Sequence, residues 1–257
     1  MSLFKWNMMM KHTFTGLANY VRMFTSDPNF WNSLWFTAKY AALSVGFGML
    51  FSFLLGVMMT SHRKPVNVLR TLFYLPCMIS AGSQTVLMWW YVLGNNGIFN
   101  QVLGYTGIQP VNWFSSQFIL PSIIFMGLWG AGGGMIFFVS GIKGISDDFY
   151  EAAVIDGANA WKRMMRITLP MLSPVIVYNL IMGVIGALQQ FMLAYVLNTF
   201  GASGMNFFAL NIYNQAFKNN AFGYASALAV VLFLIVLGLT LLIFNTSGKW
   251  VFYGDES

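Results

Sequence analysis

Charge is what this sequence has least of. Only 8% of its 257 residues are Asp, Glu, Lys or Arg, and 58% are hydrophobic, whereas a soluble domain carries about 25% charged residues. A chain this poor in charge cannot cover a water-facing surface, and lipid is its natural solvent. Cysteine is almost missing too. Cys77 stands alone, which excludes an intrachain disulfide, and no Cys/His cluster has metal-ligand spacing. There is no Gly-x-x-x-x-Gly-Lys-Ser/Thr phosphate loop, because Ser247-Gly248-Lys249 lacks the upstream glycine. Ser2 to Phe14 lacks the continuous apolar core of a cleavable signal peptide. His12 and His62 lie outside the apolar stretches without an evident partner, so no catalytic constellation supports a membrane enzyme. The net charge of +6 is explained by Lys and Arg in cytoplasmic loops, and no nucleic-acid partner is expected.

What is present is long apolar runs. A spanning helix needs about 20 mostly apolar residues. Five stretches qualify: Trp31 to Thr60, Leu72 to Leu93, Phe118 to Ile142, Met171 to Leu197 and Tyr224 to Asn245. Their continuous apolar character predicts helices rather than alternating barrel strands. The fold class is therefore an all-α membrane protein, a bundle of about five transmembrane helices. His62-Arg63-Lys64 and Arg70 fall between the first two runs, and Lys143, Lys162, Arg163 and Arg166 between the third and fourth. The positive-inside rule makes both loops cytoplasmic. Gly94 to Gln117 holds no charge and the last loop only Lys218, so both are expected outside. The domain plan is an external segment 1–30, a transmembrane domain 31–245 containing a cytoplasmic loop 143–170, and a cytoplasmic tail 246–257. With five spans and Lys249 inside, the N-terminus falls outside. Either that segment is translocated as a short tail, or an earlier helix is missing from the chain.

The seven acids are unevenly placed. Asp147, Asp148, Glu151 and Asp156 fall within ten positions of one loop, and no other acid occurs between Pro28 and Gly254. Local physics predicts two short helices there. Ser146 or Asp147 caps the first, with acids at its positive end. Ala152 and Ala153 favour helix and let a partner backbone come close. Gly157 stops it, a second helix runs from Ala158 to about Arg166, and Pro170 stands near the next span, where its missing N–H is harmless.

These residues carry a family resemblance. Glu151-Ala152-Ala153, then Gly157, then Ile167-Thr168-Leu169-Pro170 resembles the EAA loop of binding-protein-dependent importers of the ATP-binding-cassette (ABC) class. Leu17-Ala18-Asn19-Tyr20, Asp27, Phe30 and Thr37 resemble the external segment of sugar-type permeases. Arg70, Leu75-Pro76, Trp89, Gly97, Asn100, Trp129 and Gly141 continue the match. The resemblance implies the type I importer permease fold with its first helix absent here, which would resolve the orientation of the N-terminus. One departure stands in the fourth run: sugar permeases often show Phe-Asp and Thr-x-Gly-Gly-Pro, and this chain has Phe191-Met192 and Asn198-Thr199-Phe200-Gly201-Ala202.

The resemblance further implies a transport subunit rather than an enzyme, placed in a bacterial or archaeal cytoplasmic membrane. The chain would bind no cofactor itself. ATP and Mg would sit in two ABC ATP-binding subunits, one of which receives the loop through Asp148, Glu151, Ala152, Ala153, Asp156, Gly157 and Trp161. The other partners would be a second, related permease chain, an external substrate-binding protein and membrane lipid. Trp161, Met164 and Met165 suit either docking or packing beneath the permease's own helices. Polar groups in spans are costly and functional by default, which nominates Gln84, Asn179, Gln189, Gln190 and Asn198 for the pathway, with Trp89, Phe191 and Tyr195 as sugar-stacking companions. A Gln or Asn that only bonds a neighbouring helix is the plainer reading of each. The solute expected is a carbohydrate, polyol or glycerol phosphate. The alternatives are a polyamine, phosphate or amino-acid permease, or an ion-driven transporter, against which the lack of any acid or base between Thr71 and Ile142 counts.

Overall fold

In the computed structural model, which describes residues 1–6, 12–60, 64–78 and 83–252, the chain is built of helices. Its strands, among the described residues, are a small antiparallel pair, β1 (Phe4–Lys5) and β2 (Thr13–Phe14), with Phe4 opposite Phe14. The helices are α1 (Ala18–Thr25), α2 (Pro28–Met58), α3 (Lys64–Met78), α4 (Ser83–Leu93) and α5 (Ile98–Tyr105). Then come α6 (Ile119–Leu128), α7 (Gly132–Lys143), α8 (Asp147–Ile155), α9 (Ala160–Arg163) and α10 (Leu169–Met171). The last four are α11 (Ser173–Leu188), α12 (Met192–Thr199), α13 (Phe208–Tyr213) and α14 (Phe222–Ser247). π turns occupy Met164–Thr168 and Asn214–Lys218. His62, Arg63 and the tail beyond Phe252, on which part of the orientation argument rests, lie outside the described residues.

Among the described residues, three helical runs are long and apolar enough to cross a membrane: Pro28–Met58, Ser173–Thr199 and Phe222–Ser247. α6 and α7 make a fourth if taken as one broken span. The expected second span is divided between α3 and α4, of 15 and 11 residues, each short of the about 20 that a bilayer needs; residues 79–82 lie outside the described ones. The helices are long because every backbone group in hydrocarbon must be paired within the chain. Their outer faces are apolar: Phe47, Leu50 and Leu54 on α2 and Phe233, Leu234 and Leu241 on α14 are exposed, the reverse of a soluble fold.

The chain divides into two compact units. The first comprises Met1–Ser44, Ala81–Met126 and Val184–Leu239. Asp27 organises it. Its Oδ1 accepts from the Asn29 amide at 2.9 Å, capping α2 just before a proline that has no N–H to satisfy, and its Oδ2 accepts from the Tyr224 hydroxyl at 2.5 Å. Around that bond Met23, Phe30, Phe208, Tyr224, Ala227 and Leu228 form a buried cluster. Two buried hydroxyls of α2 then bond α13. Thr37 Oγ1 accepts from the Phe208 amide at 2.8 Å, and Ser33 Oγ from Asn211 Nδ2 at 3.3 Å.

Within the same unit, the charge-free loop is held by one side chain. Asn100 Nδ2 donates to the carbonyls of Gly94, Asn95 and Val111, while its Oδ1 accepts from the Val111 amide and Trp113 Nε1, all between 2.9 and 3.1 Å.

The second unit comprises Val45–Ser80, Gly127–Gly183 and Thr240–Ser257. Leu55, Met59, Met135 and Val139 form its buried cluster. α3 and α7 approach so closely that a Cβ on Gly132 would fall 2.0 Å from the Phe73 carbonyl oxygen. Ser52 Oγ donates to the Ala131 carbonyl at 2.9 Å. Arg70 Nη2 donates to the Met59 carbonyl just past the end of α2, where an orphan acceptor at the negative pole of a helix suits a cation.

Asn100→Ala should lower stability by about 1–3 kcal/mol, since it strands a buried amide and an indole N–H. A thermal unfolding midpoint unchanged from wild type would contradict that role for Asn100.

Candidate functional site: the charged loop and the polar break in the helices

The acidic loop lies wholly in the second unit. Ser146 is the N-cap of α8: its Oγ accepts from the Asp148 amide at 3.3 Å and donates to Asp148 Oδ2 at 3.0 Å. Asp147 and Asp148 occupy the first turn, at the positive end of the helix dipole. The stop is a complete Schellman motif. The Ala158 amide donates to the Ala153 carbonyl at 2.8 Å, the Gly157 amide to Val154 at 3.0 Å, and Gly157 has φ +73°, where a Cβ is strained. Asn159 then caps α9, its Oδ1 accepting from the Lys162 amide at 2.8 Å.

Beyond α9 the outcome differs from the expectation of a helix ending near Arg166. The chain stays helical through the π turn and α10. Pro170 lacks an N–H, and its ring in a regular α-helix would meet the carbonyl of Arg166, four residues back. The wider π turn just before it is the kind of local unwinding that accommodates this. Tyr150 of α8 ties the two arms together by a 2.9 Å hydroxyl–hydroxyl bond to Thr168, which is buried. Between them lies a cavity of about 600 Å³ lined by Val57, Lys143, Asp147, Tyr150, Met164 and Thr168, among others.

No residue of α8 is buried. Asp148, Glu151, Ala152 and Ile155 follow one another at i, i+3, i+4 and i+7, which puts them on one face. All four are exposed, Ile155 at 86%. Asp156 and Gly157 are exposed at the turn and Ala153 is half-buried. Trp161 is 69% exposed, so its ring does not pack beneath the helices of its own chain; Met164 lines the cavity instead, and Met165 is exposed. The sequence reading missed Phe149, Val154 and Ile155, whose apolar side chains are also exposed. Their signal was there to read: three large apolar residues on a nine-residue helix that has acids for its only charges.

The polar candidates fall elsewhere. α11 stops at Leu188 and α12 starts at Met192, so Gln189, Gln190 and Phe191 occupy a break inside the run Ser173–Thr199, with Phe191 at φ −122°, ψ −54°. A break in a membrane helix frees backbone groups beside these polar side chains. In the first unit, Gln190 is half-buried and interacts with the Tyr40 hydroxyl, while Gln189 is exposed. Phe191 and Tyr195 stack at 5.4 Å, and Tyr213 stands 5.2 Å from each ring. Tyr40 and Tyr213 were not among the sequence candidates. Asn198 and Gln84 are exposed. Trp89 is 6% exposed and packs edge-on to Phe125 at 5.4 Å, a core position. Asn179, in the second unit, donates to the Val175 carbonyl of its own helix at 2.9 Å. The structure thus joins Gln190, Phe191 and Tyr195 to one break, buries Trp89 and bonds Asn179 to its own helix.

Residues 48–247 match the family described as binding-protein-dependent transport system inner membrane component. The chain belongs to this family. It is 36% identical over 246 residues to the probable ABC transporter permease protein YesP of Bacillus subtilis, covering 94% of this chain and 80% of that one. It is 32% identical to the trehalose/maltose transport system permease protein MalF of Thermococcus litoralis, covering 89% and 78%. It is also 32% identical to the lactose transport system permease protein LacF of Rhizobium radiobacter, covering 92% and 81%. Among solved structures, a chain of a bacterial alginate ABC transporter in complex with an alginate pentasaccharide-bound periplasmic protein superposes with a TM-score of 0.84 at 24% identity, covering 91% and 83%. This permease is therefore a membrane component of an ABC transport system, a transport subunit rather than an enzyme, with the fold of ABC transporter permeases.

Gly157→Val should destabilise the loop by about 1–2 kcal/mol, the cost of a β-branched residue in the left-handed region. Faster hydrogen exchange at the amides of positions 157 and 158 in the variant checks it; unchanged protection would refute the Schellman stop.

Proposed function

We propose that this permease forms half of the pathway through which a carbohydrate or related solute is imported across a bacterial or archaeal cytoplasmic membrane. Three observations of kinship support the solute class: the relatives named above carry trehalose/maltose and lactose in their descriptions, and the structural neighbour alginate. The other half is a second, related permease chain. Two ATP-binding subunits hold ATP and Mg on the cytoplasmic side, and an external binding protein delivers the solute.

The observation that carries the coupling mechanism is the exposed face of α8, with Asp148, Glu151, Ala152 and Ile155 together and Trp161 beyond the Gly157 turn. A helix without a buried residue has no reason to hold apolar side chains in water unless a partner covers them. Glu151 offers a carboxylate to a basic group of the ATPase, the small Ala152 lets the groove wall close in, and Ile155 and Trp161 fill apolar hollows. When the ATPase dimer closes, it moves α8. Tyr150 passes that motion to the π turn through Thr168, and so to α11. At the far end of α11, the break at Gln189, Gln190 and Phe191 supplies amide groups and aromatic faces of the kind that bind sugar hydroxyls and rings.

Glu151→Lys should leave membrane insertion intact and abolish solute-stimulated ATPase activity of the assembled transporter. Normal stimulation in that variant would remove the coupling role.

A further inference from the structure

The N-terminal part of the permease has two faces that the transport reading does not use. Leu17, Val21 and Phe24 recur at i, i+4 and i+7 along α1 and are all exposed, forming one stripe. At the start of α2, Trp31 and Trp35 are exposed as well, and the Lys39 ammonium lies over the Trp35 ring, 5.0 Å from its centroid. An apolar stripe leading into a membrane span and followed by tryptophans belongs at the lipid interface. Asn19 and Arg22 lie on the opposite side of α1, two and five residues from Leu17. They line a cavity of about 310 Å³ with Lys5, Trp6, Gln215 and Asn219. This cavity lies on the side of α1 away from that apolar stripe.

Its chemistry is that of a site for a hydroxylated anion. Lys5 and Arg22 are its cations, and no carboxylate among the described residues lines it. Arg22 is held in place with its guanidinium carbon 4.5 Å from the centroid of the Tyr224 ring, and Tyr224 in turn donates to Asp27, whose other oxygen caps α2. Gln215 is only 8% exposed and sits in the π turn Asn214–Lys218, a distortion frequent at functional sites. Its Oε1 accepts from Asn219 Nδ2 at 3.1 Å, which leaves its own amide donors for the cavity. Asn19 spends its Nδ2 on the carbonyls of Ser2 and Phe4, which leaves its Oδ1 as an acceptor. Uncommitted amide donors and acceptors beside an indole suit ring hydroxyls, and the volume lies at the small end of ligand sites, with room for a single ring.

We propose that this cavity is a recognition site for a small sugar acid, with Lys5 and Arg22 holding the carboxylate and Gln215, Asn19 and Asn219 the hydroxyls. The site shares no residue with the pathway candidates. It rests on the carbohydrate reading only for the choice of ligand, and a wild-type transporter whose ATPase activity no carbohydrate stimulates would strike that reading without touching this one.

The test is equilibrium binding of D-glucuronate, D-glucose and acetate to the assembled transporter in discs of zwitterionic lipid. Glucuronate should bind, with glucose and acetate each weaker by about tenfold or more. Lys5→Gln and Arg22→Gln should each weaken glucuronate by about tenfold. Lys39→Gln, which removes a cation outside the cavity, should leave it unchanged, and thermal midpoints of all variants report whether the fold is kept. Equal binding of glucose or acetate overturns the proposal, as does glucuronate binding indifferent to both cavity substitutions in folded protein. So does loss of binding-protein docking in Arg22→Gln without any glucuronate binding, which would make the cavity a seat for a protein carboxylate.

Discussion

In hydrocarbon there is no water to complete an unpaired backbone or side-chain polar group, and each one left over costs several kcal/mol. The rest of this permease follows from that constraint. It forces the apolar runs into helices and turns their exposed faces apolar, and it makes each helix end a problem to be solved by a particular side chain. Asp27 solves it for the start of α2 and Arg70 for its end. Asn100 does the same for a whole loop, spending its full complement of donors and acceptor on five bonds. In these places the scarce polar residues serve structure.

The same constraint makes the exceptions informative. Gln189 and Gln190 stand where a helical run is interrupted, and the chain accepts the cost of both the amides and the broken ladder at one point. The loop 146–170 is the opposite case. Its acids, caps and exposed apolar side chains form a rigid two-armed element, fastened at Tyr150 and Thr168 and turned at Gly157, with surface to spare. The coupling role proposed for this loop would need such stiffness, because a floppy loop would absorb a partner's motion instead of passing it on.

Much of the site was legible from local rules. Helix capping, the dipole and the tolerance of glycine for positive φ were enough to place α8, its stop and the start of α9, because those effects act over one turn of chain. The break in α11–α12 was not legible, since Leu188 to Met192 contains neither Gly nor Pro and reads as continuous apolar helix around two glutamines. Nor were the surroundings of Asn179 or Trp89. A polar or aromatic residue in a span has the same sequence signature whether it faces a pathway or a neighbouring helix, and only the neighbours distinguish the two. The π turn before Pro170 escaped for a related reason. Proline signals that the regular ladder fails there, and the surrounding packing selects between a stop and a widened turn.

The sequence by itself determined the solvent, the helical class, the family and the two short helices of the charged loop, because each depends on composition or on residues close together in the chain. The tertiary structure decided which polar groups are structural and which remain available. Asn100 and Asp27 are taken up by bonds that reach as far as 13 and 197 positions along the chain. Glu151, Ile155 and Trp161 are left exposed, and Lys5, Arg22 and Gln215 are brought to one cavity. Such assignments depend on long-range neighbours, and a side chain's chemistry is available for function only after those neighbours have taken their share.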